Sequence, residues 1–407
     1  MNVESLINPH LRAMQPYTPI VPFEVLSQRL GRAPEDIVKL DANENPYGPS
    51  PRALAAIAQA GNLHIYPDPD QTALREAISD YIHLPKEHIL CGAGGDEIID
   101  LIGRAFIAPG DAILDLPPTF GMYRWEADIV NARYVSVLRR ADFSIDSEAV
   151  ERAVKQAVTQ PGRPKLIFLT NPNNPDGSTI DDAQLKRLLA LPVVVVLDEA
   201  YIDFSTQPSR ASWVLQHDNL IVLRTFSKLA GMAGLRVGYG VFPQPVIRHL
   251  WKIKQPYTPN VAGMTAAIAA LSDPAYLHDT VRKLVAERER LGELLSGFDW
   301  LHPLPSQSNF ILCRIDLRVS THIDTRPSGA PSARDSSQAA GHTHLAPASP
   351  APTDLPVGKR LKLALEQHGI LVRWFDKDGL RDCIRVSVGR PEHTDKLIQA
   401  LRAVMSA

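Results

Sequence analysis

A chain of 407 residues, 44% of them hydrophobic, is long enough for two or three domain-sized units and a substantial buried core. Its formal charge of -2 makes no electrostatic case for nucleic acid or an anionic membrane surface as partner. Three widely spaced cysteines, Cys91, Cys313 and Cys383, form no CxxC pair, which argues against a disulfide framework or a zinc ribbon and for a reducing, cytoplasmic compartment.

No apolar run reaches membrane-spanning length, and Met1 to Arg12 lacks the basic start and apolar core of a signal peptide. The proline-rich start through Gln15-Pro16-Tyr17-Thr18-Pro19 reads as an extended arm, of the kind that packs on a neighbouring subunit or closes over a site. Asp41 to Pro51 is dense in turn residues, and helical patterns follow at Arg52 to Ala60 and Thr72 to Ile82, separated by the loop Tyr66-Pro67-Asp68-Pro69-Asp70.

From Ile89 the pattern becomes repeated apolar strand, turn and helix. Gly92-Ala93-Gly94-Gly95-Asp96-Glu97 opens a helix to about Phe106. Ala112 to Asp115 leads into Pro117-Pro118-Thr119-Phe120-Gly121, Leu166 to Leu169 into Thr170 to Gly177, Val193 to Leu197 into Asp198-Glu199-Ala200-Tyr201, and Leu220 to Leu223 into Thr225 to Arg236. Short apolar strands alternating with helices predict an α/β fold: a mostly parallel sheet covered by helices on both faces. In such sheets ligands sit beyond the carboxyl ends of the strands, where each of these polar motifs falls.

After about Pro256 long helical segments dominate, notably Tyr276 to Leu295. Strands are expected at Asn309 to Cys313, Ile370 to Trp374 and Cys383 to Val388, with a helix at Gly358 to His368. The expected division is an arm over 1–40 joining the small domain, a large domain over 41–256 and a smaller α+β domain over 257–407. Residues 318–356, rich in Ala, Pro, Ser, Thr and His without apolar periodicity, read as a disordered insertion. His342 and His344 lie within it and lack the further ligands a metal needs, so no metal site is expected.

The loop after Leu223 carries the most chemistry. An amine such as Lys228, desolvated or beside positive charge, forms an imine with an aldehyde, and the Arg236 guanidinium grips a phosphate with paired hydrogen bonds. Together they suggest pyridoxal phosphate; a solvated Ser227-Lys228 pair is the alternative. Asp198, at the end of a buried strand, needs a cationic partner, for which a protonated pyridine nitrogen is suitable, unless it only caps a helix. Tyr201 is placed to bond a ring hydroxyl. Asn174-Pro175-Asp176-Gly177 is either a simple turn or a stiff loop presenting the Asn174 amide. Gly94 to Glu97 puts small residues at a helix start, where free amides and the helix dipole favour a phosphate, though it lacks the third glycine of a dinucleotide fingerprint. Phe120 is a candidate to stack on a planar ring, or a core residue.

As a set, these stretches resemble the fold-type-I pyridoxal-phosphate-dependent aminotransferases, and among them the histidinol-phosphate aminotransferase family. Leu40 to Gly48, Tyr66 to Asp68, Gly92 to Glu97, Pro117 to Tyr123, Asn171 to Gly177, Leu197 to Phe204 and Arg224 to Gly238 carry the resemblance, which runs nearly end to end except over 318–356. It implies that Lys228 holds the cofactor and moves a proton, that Asp198 pairs with the ring nitrogen, that Asn174 and Tyr201 bind the ring oxygen, and that Phe120 stacks. The family more often has tyrosine where Phe120 stands.

The same resemblance implies a phosphate held by the Gly95 and Asp96 amides, Ser227 and Arg236, with Tyr66 supplied by the other subunit of a homodimer. Arg373 and Arg385, with Tyr17 from the arm, would bind substrate; surface charge is the alternative for both arginines. The implied reaction is ping-pong transfer of an amino group between L-glutamate (2-oxoglutarate) and imidazole-acetol phosphate (histidinol phosphate) in histidine biosynthesis. A threonine-phosphate decarboxylase of the same fold and an aromatic amino-acid aminotransferase are the enzymatic alternatives. A non-catalytic regulator is disfavoured by the retained Lys228 and by an arm too short for a DNA-binding module.

Overall fold

The computed structural model describes residues 1–17, 22–158, 162–316, 318, 323 and 355–406; most of the expected insertion at 318–356, His342 and His344 included, lies outside the described residues. The chain forms two compact units. The first gathers the described residues of 1–19, 44–286 and 305–309, the second those of 20–43, 287–304 and 310–407. The strands are β1 (Val38–Leu40), β2 (Ile89–Gly92), β3 (Ala112–Asp115), β4 (Arg133–Ser136), β5 (Pro164–Thr170), β6 (Val194–Asp198), β7 (Leu220–Thr225), β8 (Gly238–Val241), β9 (Leu301–Pro303), β10 (Phe310–Ile315), β11 (Ile370–Trp374) and β12 (Cys383–Ser387).

In the first unit seven strands form one sheet in the order β2-β8-β7-β6-β5-β3-β4. All neighbours are parallel except β8, which runs antiparallel to both β2 and β7. The apolar runs are apolar throughout because both faces are covered, and alternate side chains enter different cores. Leu166, Phe168, Val196, Ile221 and Leu223 pack with the helices Gly94–Phe106, Met122–Ile129 and Gln244–Ile253. Ile167, Leu169, Val195, Leu197 and Val222 pack on the opposite face, with the helices Pro51–Ala58, Thr72–Ile82, Ser147–Val158, Asp182–Leu189 and Val261–Leu271. The expected α/β class is therefore the observed one.

β2 is an edge strand, and its outward backbone groups need partners. Arg75 Nε donates to the Ile89 carbonyl at 2.9 Å, and Cys91 is served by Gln71. Fully buried and in the left-handed region (φ 56°), it accepts the Cys91 N–H at 2.9 Å and donates to the Cys91 carbonyl at 2.8 Å and the Thr258 carbonyl at 2.6 Å. The Gln71 amide and the Arg75 guanidinium thus stand in for a missing strand, and Gln71 ties the 258 segment to the sheet edge.

The second unit holds a five-stranded sheet, β1-β11-β12-β10-β9, in which only β1 and β11 run parallel. The helix Val357–Gln367 contributes buried Leu361, Ala364 and Leu365 to this unit. The region before Asp41 holds more structure than an extended arm: a 3-10 turn at Val3–Leu6, helices at Pro9–Ala13 and Phe23–Leu30, and β1. These pieces are too short to show a period of their own. Their apolar partners, such as Leu371 against Leu26 and Ile37, lie far along the chain. No helix among the described residues is long and apolar enough to cross a membrane.

One buried acid gives a stability prediction. Glu126 is 2% exposed, on a helix packed against Gly103, where any side chain would strike its carboxyl. Burial pushes its pKa up to about 7, with Asp100 adding to the rise and Arg104 opposing it. The folded state therefore holds this proton more tightly than the unfolded chain, so the contribution is full below the ordinary carboxylate range and is lost as pH rises through about 7. Glu126→Gln, neutral at every pH, should be more stable than the native protein by about 2 to 3 kcal/mol at pH 8 and indistinguishable from it near pH 4. Urea melts at the two pH values check this; an equal difference at both would show that shape, not charge, sets the effect.

Candidate active site

The carboxyl ends of β2, β3, β5, β6 and β7 open on one edge of the large sheet. β8 joins them with its amino end because it runs the other way, its Gly238 pairing with Gly92 on one side and Thr225 on the other. Arg236, two residues before Gly238, is thereby brought to the start of the helix Gly94–Phe106, 140 residues away in sequence, where its Nη2 donates to Asp96 Oδ2 at 2.7 Å.

The approach of these segments depends on glycine. Gly94 has φ +81°, and a Cβ on it would lie 2.9 Å from Arg236 Cζ; one on Gly238 would lie 2.6 Å from the Gly94 carbonyl carbon and 2.7 Å from the Gly95 nitrogen. The helix start has no side-chain cap, so its first N–H groups, those of Gly95 and Asp96 included, remain donors at the positive end of the helix dipole. Glu97 accepts from the Ala93 N–H and, at 3.0 Å, from the Thr258 hydroxyl. Across the edge, Thr225 Oγ1 accepts the Ser227 N–H at 3.1 Å and donates to the Ser227 hydroxyl at 3.0 Å. Amides, a hydroxyl and a guanidinium around glycines form a cradle suited to a phosphate.

Asp198 ends β6, buried, with Thr170 as its register partner on β5. Its carboxylate accepts the Tyr123 hydroxyl at 2.7 Å and the Ala200 N–H at 3.0 Å. Burial nevertheless drives its pKa upward; the two hydrogen bonds oppose the shift, Asp96 adds to it and Lys228 counters it. A carboxylate so placed calls for a cation beside it. Lys228 lies on the short helix Phe226–Leu229, half-buried, its ammonium 5.9 Å from the centre of the Tyr201 ring. Asn174 and Tyr201 are buried in loops following β5 and β6. Phe120 is half-buried and meets the Tyr123 ring edge-on at 5.7 Å. The arrangement fits a planar cationic ring bearing a phosphate: an acid for the ring nitrogen, an amine, and an anion cradle, all set by one sheet edge.

The other candidates are described within their own units. Tyr66 is 77% exposed and stacks on Tyr257 at 4.4 Å. Tyr17 is exposed. Arg373 and Arg385 belong to the second unit, where they are register partners on β11 and β12, each guanidinium within 5.6 Å of the Phe375 ring centre. Arg385 is buried and donates to the Asp41 carbonyl at 2.7 Å. Two like charges directly opposite on one sheet face repel, and an anion between them would relieve that.

Sequence reasoning passed over Tyr123, Thr170, Thr119 and Asn173, which form a buried polar group around Asp198. Thr119 donates to Asn173 Oδ1 at 2.9 Å and lies 3.2 Å from the Thr170 hydroxyl, which in turn is 2.8 Å from Tyr123 Oη. The one available signal was the position of Tyr123 one helical turn beyond Phe120, at the start of a helix leaving the same strand end.

The chain matches the model of the aminotransferase class I and II family over residues 35–401. It is 47% identical over 399 residues to a chloroplastic histidinol-phosphate aminotransferase of Nicotiana plumbaginifolia, covering 98% of this chain and 86% of that protein. It is 45% identical over 408 residues to a histidinol-phosphate aminotransferase of Roseiflexus castenholzii, covering 99% of both chains. Among solved structures, the histidinol-phosphate aminotransferase of Sinorhizobium meliloti in complex with pyridoxal-5'-phosphate superposes with a TM-score of 0.80 at 27% identity, covering 99% of this chain and 98% of that one. With the sheet-edge geometry and these matches together, the chain belongs to the class I and II aminotransferases, in the family of the histidinol-phosphate aminotransferases.

Proposed function

We propose that this chain binds pyridoxal 5'-phosphate and, as a ping-pong transaminase, moves an amino group between L-glutamate and imidazole-acetol phosphate, yielding histidinol phosphate in histidine biosynthesis. The observation that carries the cofactor half is Asp198: a buried carboxylate at a strand end, its proton affinity raised by burial, with Lys228 close enough to act on it. The substrate half rests on the near full-length likeness to proteins that bear this name.

The cofactor supplies an aldehyde and an electron-accepting ring. Lys228 would hold it through Nζ and would carry a proton at that atom. Asp198 pairs with the ring nitrogen, Asn174 and Tyr201 bind the ring oxygen, and Phe120 stacks. The Gly95 and Asp96 amides, Ser227 and Arg236 hold the phosphate. Arg373 and Arg385 bind the substrate's carboxylate or phosphate, both oxyanions that suit a guanidinium fork, with Tyr17 as a further contact. The protein works as a homodimer in which Tyr66 serves the partner's phosphate cradle; the exposed Leu54, Leu63, Ile65, Tyr66 and Tyr257 support this as apolar surface available to a second copy. Three buried, unbridged cysteines favour a reducing compartment such as the cytoplasm.

The test is single-turnover absorbance of the cofactor-loaded protein mixed separately with glutamate, histidinol phosphate, phenylalanine and threonine phosphate, with products identified by mass. Glutamate and histidinol phosphate should both convert the cofactor to its amine form, and phenylalanine much more slowly. Carbon dioxide release from threonine phosphate without the amine form would overturn the reading in favour of a decarboxylase.

A further inference from the structure

We propose that Tyr123 is a positioning residue for the ring-nitrogen acid: the last donor of a one-way hydroxyl chain, Thr170 to Tyr123 to Asp198, that keeps Asp198 ionised and aimed at a cationic ring nitrogen. The inference rests on the cofactor reading above and extends it by one shell of side chains.

The direction of the chain follows from counting protons. An ionised Asp198 can only accept, so the single Tyr123 proton goes to it, at 2.7 Å. Tyr123 Oη must then accept from Thr170, whose one proton takes the 2.8 Å contact to Tyr123 over the 3.2 Å contact to Thr119. Thr119 is already committed, donating to Asn173 Oδ1 at 2.9 Å. Asn173 Oδ1 is fixed as an acceptor because its Nδ2 donates to the Pro118 carbonyl and to Asp176. Donors in series polarise one another, which strengthens the final bond.

The tyrosine ring is held as firmly as its hydroxyl. It is fully buried, stacked on Phe168 at 4.7 Å with planes 8° apart, and met edge-on by Phe120. The hydroxyl therefore points at Asp198 without an entropy cost on cofactor binding. A hydrogen bond to a carboxylate is about twice as strong as one to a neutral carboxyl, so Tyr123 favours the ionised form. That opposes the burial that raises the Asp198 pKa, in agreement with the lowering effect of this bond.

Tyr123→Phe keeps the ring and its packing and removes only the hydroxyl. The apoprotein's dissociation constant is measured for pyridoxal phosphate and for its deaza analogue, whose ring nitrogen is replaced by carbon. Loss of Tyr123 should weaken pyridoxal phosphate by about tenfold, leave the analogue's affinity unchanged, and move upward the pH at which affinity for pyridoxal phosphate develops. Thr170→Val, measured in the same way, should show part of the same selective loss and serves if Tyr123→Phe fails to fold. If both ligands weaken alike, or neither does, Tyr123 only fills the core and the proposal falls while the cofactor reading stands. If the native apoprotein takes up no pyridoxal phosphate, both fall.

Discussion

Replacing Lys228 by alanine is expected to lower turnover by at least ~10^3-fold and to abolish the absorbance of covalently held cofactor, while the protein remains folded. The fold does not depend on this side chain. The four-residue helix that bears it is anchored by buried Phe226 and Leu229 and capped by Thr225, whereas Lys228 itself is only half-buried. Lys228→Arg sharpens the test. A guanidinium keeps the charge next to Asp198 and Tyr201 but stays protonated and cannot attack an aldehyde, so the arginine variant should be as inactive as the alanine one. Turnover above a tenth of the native rate in either variant would remove Lys228 from its central role.

Asp198→Asn should separate stability from activity. In the folded protein burial raises the proton affinity of Asp198. Its contribution to stability is thus present below the ordinary carboxylate range and is lost as pH rises. Asparagine keeps the shape without a buried charge: its oxygen can accept the Ala200 N–H, and its Nδ2, in place of the oxygen that Tyr123 donates to, can donate to the Tyr123 hydroxyl, so the apoprotein should gain ~1 kcal/mol at neutral pH. With pyridoxal phosphate present the order should invert, because the native protein gains binding energy from the ion pair and the variant does not. Turnover should fall by about 10^2-fold or more as charge stabilisation at the ring is lost. Thermal melts with and without cofactor, beside turnover, decide it. A variant less stable than the native apoprotein and fully active would show that Asp198 is only a helix-capping residue.

Much of the large sheet was legible because its signals are local. Ala112 to Leu114 within the expected strand Ala112 to Asp115, Leu166 to Leu169, Val193 to Leu197 and Leu220 to Leu223 are continuous apolar runs bounded by turn residues, the pattern of strands covered on both faces. The polar motifs stand immediately after these runs, so their arrival at one edge follows from parallel order. The bounds of the helix Thr72–Ile82 and of β11 agree with the periodicity.

What was not legible depends on contacts distant in sequence. β1 is three residues long and exists because Val38, Lys39 and Leu40 find Ile370, Leu371 and Val372. Gln71 reads as an ordinary polar residue before a helix until Cys91 and Thr258 are placed beside it. Tyr123 reads as one more core aromatic until β5 and β6 bring Thr170 and Asp198 to its hydroxyl.

The sequence by itself determined the α/β class, the strand ends that carry chemistry, and the residue types offered there: an amine, an acid, an amide and a glycine-rich helix start. These are properties of short windows, set by side-chain periodicity and turn chemistry. Tertiary structure alone decided that β8 runs backwards and delivers Arg236 to the helix that begins at Gly94, that Arg373 and Arg385 face each other across a register, and that Asp198 has Tyr123 for its donor. Each of these is a pairing of segments far apart in the chain, selected by burial and by the need of buried polar groups for partners, and no local pattern encodes which partner will be found.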